Sequence, residues 1–218
     1  MVAFSSDIDI LKYEPALFGF LHIPWQVLCS GESASLESGT LIDQNAHFLT
    51  AGVTAGKIIY VRGSDGVPDG AYEIVSVESA TELVVSVLRS DSSGAVVAPP
   101  SAESVSWRIA TLEPQASEIG LQLTAYFGLG PGCPTAEYDA SDIVDPEMLR
   151  QASVFAVISL AYGMVAGNSN DEHLWSKSMH YKKLFTKARE RIRFSIDTGG
   201  EEISNINRIG GSGRLIRD

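Results

Sequence analysis

Asp197-Thr198-Gly199, preceded by Phe194-Ser195-Ile196, is the closest approach to a catalytic signature in this chain. In peptide-hydrolysing enzymes an Asp-Thr-Gly triplet presents one of two carboxylates that share a proton. That chemistry needs the triplet on a strand-to-loop turn and a second half-site. Here it follows a Lys- and Arg-rich helical stretch, and only about twenty residues come after it. A helix C-terminus with Gly199 or Gly200 as the left-handed cap accounts for it better.

The other candidate chemistries are weaker. Gly128-Leu129-Gly130-Pro131-Gly132 has the glycine density of a phosphate cradle. No strand is expected before it and no Gly-Lys-Ser/Thr follows, so it reads as a plain loop. His22, His47, His173 and His180 offer no close metal pair. His173 and His180 lie two helical turns apart, about 10 Å, too far to share one ion. Cys29 and Cys133 have no CxxC spacing and read as inert thiols of a reducing compartment. Asp7 and Asp9 suit a helix start better than a cation. Without a Ser-His or Cys-His constellation, the expectation is a protein that is no enzyme and carries no cofactor or metal.

Charge is divided unevenly. Ten of the sixteen Lys and Arg residues lie from Lys177 to Asp218, against five acidic residues, a net of +5. Residues 1–176 carry six against twenty-two, a net of −16. An acidic bulk does not coat nucleic acid, which needs concentrated positive surface. The 44% apolar and 20% charged content is that of a globular protein. The apolar stretch Ser153 to Ala166 is about fourteen residues, short for a bilayer span. The N-terminus has no basic n-region, so the chain is expected to be made in the cytoplasm and to meet no membrane.

These residues must be positioned by three kinds of element. Residues 7–21 suggest a short helix that stops before Pro15. Between Trp25 and Thr111 the pattern is β, with Lys57 to Arg62, Tyr72 to Val77, Leu83 to Leu88, and Val105, Trp107 and Ile109 alternating with polar residues. Between Tyr72 and Val77 the phase changes, so a bulge or two-sided burial is expected. After Pro114 the period is helical. Ile119, Leu123, Tyr126 and Phe127 mark one helix. Asp145-Pro146-Glu147 opens a second, apolar almost all round, that should run to about Ala166. A third, from about Asp171 to Ile196, places Leu174, Tyr181, Phe185, Ala188 and Ile192 on one face.

The expected fold is therefore α+β. A helical-bundle domain, 1–23 plus 112–196, carries an inserted small antiparallel β-barrel or sandwich at 24–111. An extended C-terminal tail, 197–218, follows. Helix two is too apolar to be covered by a small domain, so Phe155, Ile158 and Tyr162 are candidate subunit-interface residues. Lys183, Lys187 and Arg191, at i, i+4 and i+8, join them as a basic face that reads as solvated or as meeting an acidic partner subunit, ahead of DNA phosphates. The tail is apolar and basic yet too glycine-rich to build a core. Ile203, Ile206, Arg208, Ile209, Arg214, Leu215, Ile216 and Arg217 are its candidate partner-binding residues.

Two stretches carry a family likeness. Asp7-Ile8-Asp9-Ile10-Leu11-Lys12-Tyr13-Glu14-Pro15-Ala16-Leu17-Phe18 resembles the opening of head–tail connector (adaptor) proteins of tailed bacteriophages. Asp145 to Ser153, with Tyr181 to Arg189, is similar to their paired long helices. The β module, including Val53 to Ile59 and Gly70 to Val75, is similar to small barrels of phage neck and tail proteins. The resemblance implies a virion protein of the neck between capsid and tail, forming a ring of about twelve subunits beneath the portal. The genome would pass through its channel without specific binding, and an acidic lining suits a sliding polymer. The tail would lodge against the portal protein, and the opposite edge would receive a stopper or tail protein.

A second class remains beside it. The β module alone could be the working part, binding a ligand such as a glycan, with Trp25, Tyr60, Tyr72 or Trp107 as the stacking ring.

Overall fold

The computed structural model describes residues 2–20, 26–169, 171–197 and 204–209, with Phe20 and 204–209 described by backbone alone. Two compact units divide the chain. One is Asp7–Leu112; the other combines Met1–Ser6 with Glu113–Asp218.

The first unit opens with two five-residue helices, α1 (Asp7–Leu11) and α2 (Ala16–Phe20). Six strands follow: β1 (Val27–Glu37), β2 (Thr40–Ile42), β3 (Ile58–Arg62), β4 (Asp69–Val77), β5 (Glu82–Ser86) and β6 (Ala102–Ala110). They close into an antiparallel barrel in the order β1-β2-β5-β4-β3-β6, with β6 returning to β1. Closure leaves no strand edge unpaired. Alternation fills the interior, since Val105, Trp107 and Ile109 of β6 are buried inward while Ser106 and Arg108 face out. The phase change in β4 is a register shift between Ile74 and Ser76 against β5. Inside, the Trp107 indole N–H donates to the buried Asp43 carboxylate at 2.8 Å, and the ring packs on Phe48 with centroids 5.1 Å apart. Gly31 is required there: a Cβ would collide with that carboxylate and stand 2.6 Å from the indole nitrogen.

The second unit holds α3 (Glu113–Phe127), α4 (Glu147–Ser169) and α5 (Glu172–Arg191), then β7 (Arg193–Asp197) and β8 (Ser204–Ile209). Helix α4 begins after Asp145-Pro146, whose carbonyls accept from Met148 and Leu149. At 23 residues it is long and apolar enough to cross a membrane by length and composition, but 56% of its apolar window is buried in the chain, as in a core helix. Asp171 caps α5 by accepting from the N–H groups of His173 and Leu174. Two reciprocal bonds staple α4 to α5: Ser159 Oγ donates to the Ser178 carbonyl at 2.9 Å, and Ser178 Oγ to the Ser159 carbonyl at 2.8 Å.

This architecture corrects the expected fold class. The molecule is a mixed α and β protein with a closed six-stranded barrel and five helices among the described residues, not a helical bundle bearing a small inserted module. The first helical pattern does not join a bundle, because α1 and α2 pack within the barrel unit against β3 and β4. Asp7 is held there too. Its Oδ1 accepts from Leu112 N–H and its Oδ2 from the Thr111 hydroxyl, both at 2.8 Å, with the Lys57 ammonium at 3.7 Å. The third helix ends at Arg191, and residues 193–197 are a strand. In the C-terminal segment, Ser204–Ile209 is a strand that pairs antiparallel with Arg193–Asp197.

Candidate interaction surface

Helix α4 is the apolar centre of its unit. Phe155 is 8% exposed and Ile158 and Tyr162 are fully buried within the chain, and the Phe155 and Tyr162 rings lie beside that of Tyr181 of α5. Within the chain, Ile158 and Tyr162 have no exposed surface and Phe155 little, so all three are part of this unit's own core. Lys183, Lys187 and Arg191 are exposed on α5.

What does remain open is a groove of about 450 Å³ along the three helices. Ile119 of α3, Leu160, Gly163 and Met164 of α4, and Trp175 and Met179 of α5 are among its lining residues. Lys182 and Gln122, both exposed, edge it. Trp175 is 55% exposed and Met179 37%. Leu160 and Met164, like Trp175 and Met179, are four apart, so each pair shares one helical face. Neither Trp175 nor Met179 belongs to the apolar face read from the sequence. Their own i, i+4 spacing was the available signal.

The barrel presents a different, polar concavity of about 390 Å³ that includes Tyr60, Arg62, Glu32, Ser106 and Arg108. Tyr60 and Arg108 are cross-strand partners. The Arg108 guanidinium lies 5.8 Å from the Tyr60 ring centre and donates to the carbonyls of Phe18 and Gly19 at 3.3 and 3.0 Å. Burial pulls its pKa down. The Tyr60 hydroxyl donates to Asp69, and that bond chiefly raises its pKa. Gly19 lies against the same ring: a Cβ there would stand 3.2 Å from it. Tyr60 is thus built into the attachment of α2 to the barrel. Of the other proposed stacking rings, Trp107 is 4% exposed, Tyr72 is half-buried, and Trp25 lies outside the described residues.

The remaining sequence candidates are placed as follows. Asp197 ends β7, while Thr198 and Gly199 lie outside the described residues. In β8, Ile206 stands opposite Ile196, Arg208 opposite Phe194 and Ile209 opposite Arg193. Ile203, Arg214, Leu215, Ile216 and Arg217 lie outside the described residues. Among the described residues, no three His, Cys, Asp or Glu side chains converge as metal ligands. Burial pushes the Cys29 thiol up to about 11, which keeps it protonated and a poor nucleophile near neutral pH. Comparisons with protein-family models, with curated proteins and with solved structures return no match for this chain.

Proposed function

We propose that this chain is a structural subunit that assembles with copies of itself into a ring, in the manner of the neck proteins that join head and tail in tailed bacteriophages. The observation that carries the reading is the open groove on α4 and α5, with Trp175 more than half exposed in its lining. Tryptophan and methionine gathered in a concavity are the composition of an interface centre rather than of a solvated face. Covering each such side chain contributes up to about 1.5–3 kcal/mol. Charge supports the same reading. Helix α5 carries six basic residues against two acidic ones, and residues 7–112 carry five against thirteen. Copies arranged head to tail can therefore set a basic helix against an acidic neighbour.

In this role the protein acts without catalysis, cofactor or metal. Its wider partners are the portal protein, met by the C-terminal apolar and basic residues from Ile203 to Arg217, and a stopper or tail protein at the other edge. DNA passes through without specific contacts. Light scattering on the purified chain, with negative-stain imaging alone and with a portal, tests this. Rings, or oligomers formed on the portal, are expected. A monomer at all concentrations that also ignores the portal would overturn it.

A further inference from the structure

We infer that the loop between β5 and β6 of one copy docks into the α4–α5 groove of a second copy, so that each chain carries both halves of a head-to-tail contact. The inference rests on the ring reading above.

The loop displays Ala95-Val96-Val97-Ala98, four consecutive apolar residues that are all exposed, with Val96 at 47% and Val97 at 54%. Val87, beside them, is 42% exposed. A run of that kind on a surface calls for something to cover it. Nor is the run slack. Val97 N–H donates to Ser86 Oγ at 2.9 Å, and Val87 N–H to the Val97 carbonyl at 2.8 Å. Arg89 pairs with the Glu73 carboxylate at 2.6 Å and donates to the carbonyls of Ser92 and Gly94 at 2.9 and 3.2 Å. The valines are held out on backbone that is already fixed, so less ordering remains to be done on binding.

A second copy is the occupant that matches in both apolar character and charge. The loop exposes an aliphatic run, with Asp91 and Glu103 exposed on its flanks; the groove is concave and apolar, with Lys182 exposed at its edge. Apolar surface thus meets apolar surface, and carboxylates meet an ammonium. The two patches are different, so the contact is heterologous. Such contacts close into rings or extend as filaments, whereas a groove meeting its own copy would stop at two subunits.

The test uses the full chain with Cys29→Ser and Cys133→Ser, to remove its own thiols. One preparation carries Val97→Cys, a second carries Met179→Cys, and the two are mixed, allowed to exchange and oxidised. A disulfide-linked pair containing one chain of each kind is expected. Separately, Val96→Asp with Val97→Asp, on exposed positions that leave the fold intact by circular dichroism, should weaken self-association at least tenfold by light scattering. If the parent chain assembles but no mixed disulfide forms and the double Asp variant assembles equally well, the docking is wrong while the ring reading stands. If the parent chain is monomeric throughout, the ring reading fails and this contact fails with it.

Discussion

Asp7 and Leu112, 105 positions apart, are joined by a 2.8 Å hydrogen bond from the Leu112 N–H to Asp7 Oδ1. These are the first and last residues of the barrel unit. The same carboxylate takes the Thr111 hydroxyl and faces the Lys57 ammonium, with both charged side chains under a tenth exposed. The clasp therefore ties α1, β3 and the end of β6 together at one point.

Removing one partner of a buried charged cluster leaves the other without its compensation. Asp7→Ala should accordingly destabilise the protein by about 3–5 kcal/mol. Urea denaturation followed by tryptophan fluorescence measures it. A loss below about 1 kcal/mol, the scale of an exposed pair, would show that the clasp is not holding the barrel closed.

A second point of tension lies inside the barrel at Gly31. Any Cβ there meets the Asp43 carboxylate and the Trp107 indole, both buried and bonded to each other. Gly31→Ala should cost about 1–3 kcal/mol by forcing that pair apart. Trp107→Phe should cost about 1–3 kcal/mol for another reason, because the Asp43 carboxylate loses its indole donor in a closed space. Thermal unfolding of both variants checks this, and a neutral Trp107→Phe would mean that the indole bond is dispensable.

How far the sequence foretold these arrangements depends on whether a signal was local. The alternation of Val105, Trp107 and Ile109 needs only the pleat of one strand, and it reads correctly as a half-buried strand. The start of α4 at Asp145-Pro146-Glu147 is likewise written in adjacent residues. Strand β7 carried only a short signal, the period-two spacing of Ile192, Phe194 and Ile196, and Ile196 also falls four residues after Ile192, so the stretch reads equally as a continuation of α5. What draws them out of the helix is distant: Phe194 packs edge-on against Phe127, and Ile196 bridges to Ile143. Asp7 reads locally as a cap, yet its partners lie at the far end of the barrel unit. The groove was hidden for a related reason. The buried stripe of α5 passes through Ser178, a polar residue satisfied by the Ser159 carbonyl, while apolar Trp175 and Met179 fall beside the stripe.

The serine pair invites a direct measurement. Ser159 and Ser178 each donate to the other's backbone carbonyl, so both bonds depend on the same close approach of the two helices. Each single change to Ala should cost about 0.5–1.5 kcal/mol. A double-mutant cycle should show a coupling of at least about 0.5 kcal/mol, as expected for residues within one network. Strict additivity would mean that the two bonds act independently.

Salt should separate the charge contribution to assembly from the apolar one. Lys183, Lys187 and Arg191 are exposed, and the Debye length falls from about 10 Å at 0.1 M to about 3 Å at 1 M ionic strength. Raising salt through that range should weaken self-association without abolishing it, since the groove's apolar contribution persists. The triple change of those residues to Gln should flatten the salt dependence, read by light scattering. An unchanged slope would show that this basic face takes no part in assembly.

Trp175 offers the cleanest separation of folding from assembly. More than half of its surface is exposed, so the isolated chain draws little stability from it. Trp175→Ala should leave the unfolding free energy within about 0.5 kcal/mol, as expected for an exposed position. If its ring sits at the centre of a subunit contact, truncation should cost at least about 2 kcal/mol of association, the scale of interface residues that dominate binding. The ratio of the two effects is therefore diagnostic. Denaturation and concentration-dependent light scattering on the same variant supply both values. Loss of fold stability with unchanged assembly would assign Trp175 to the core and remove the groove as the subunit contact.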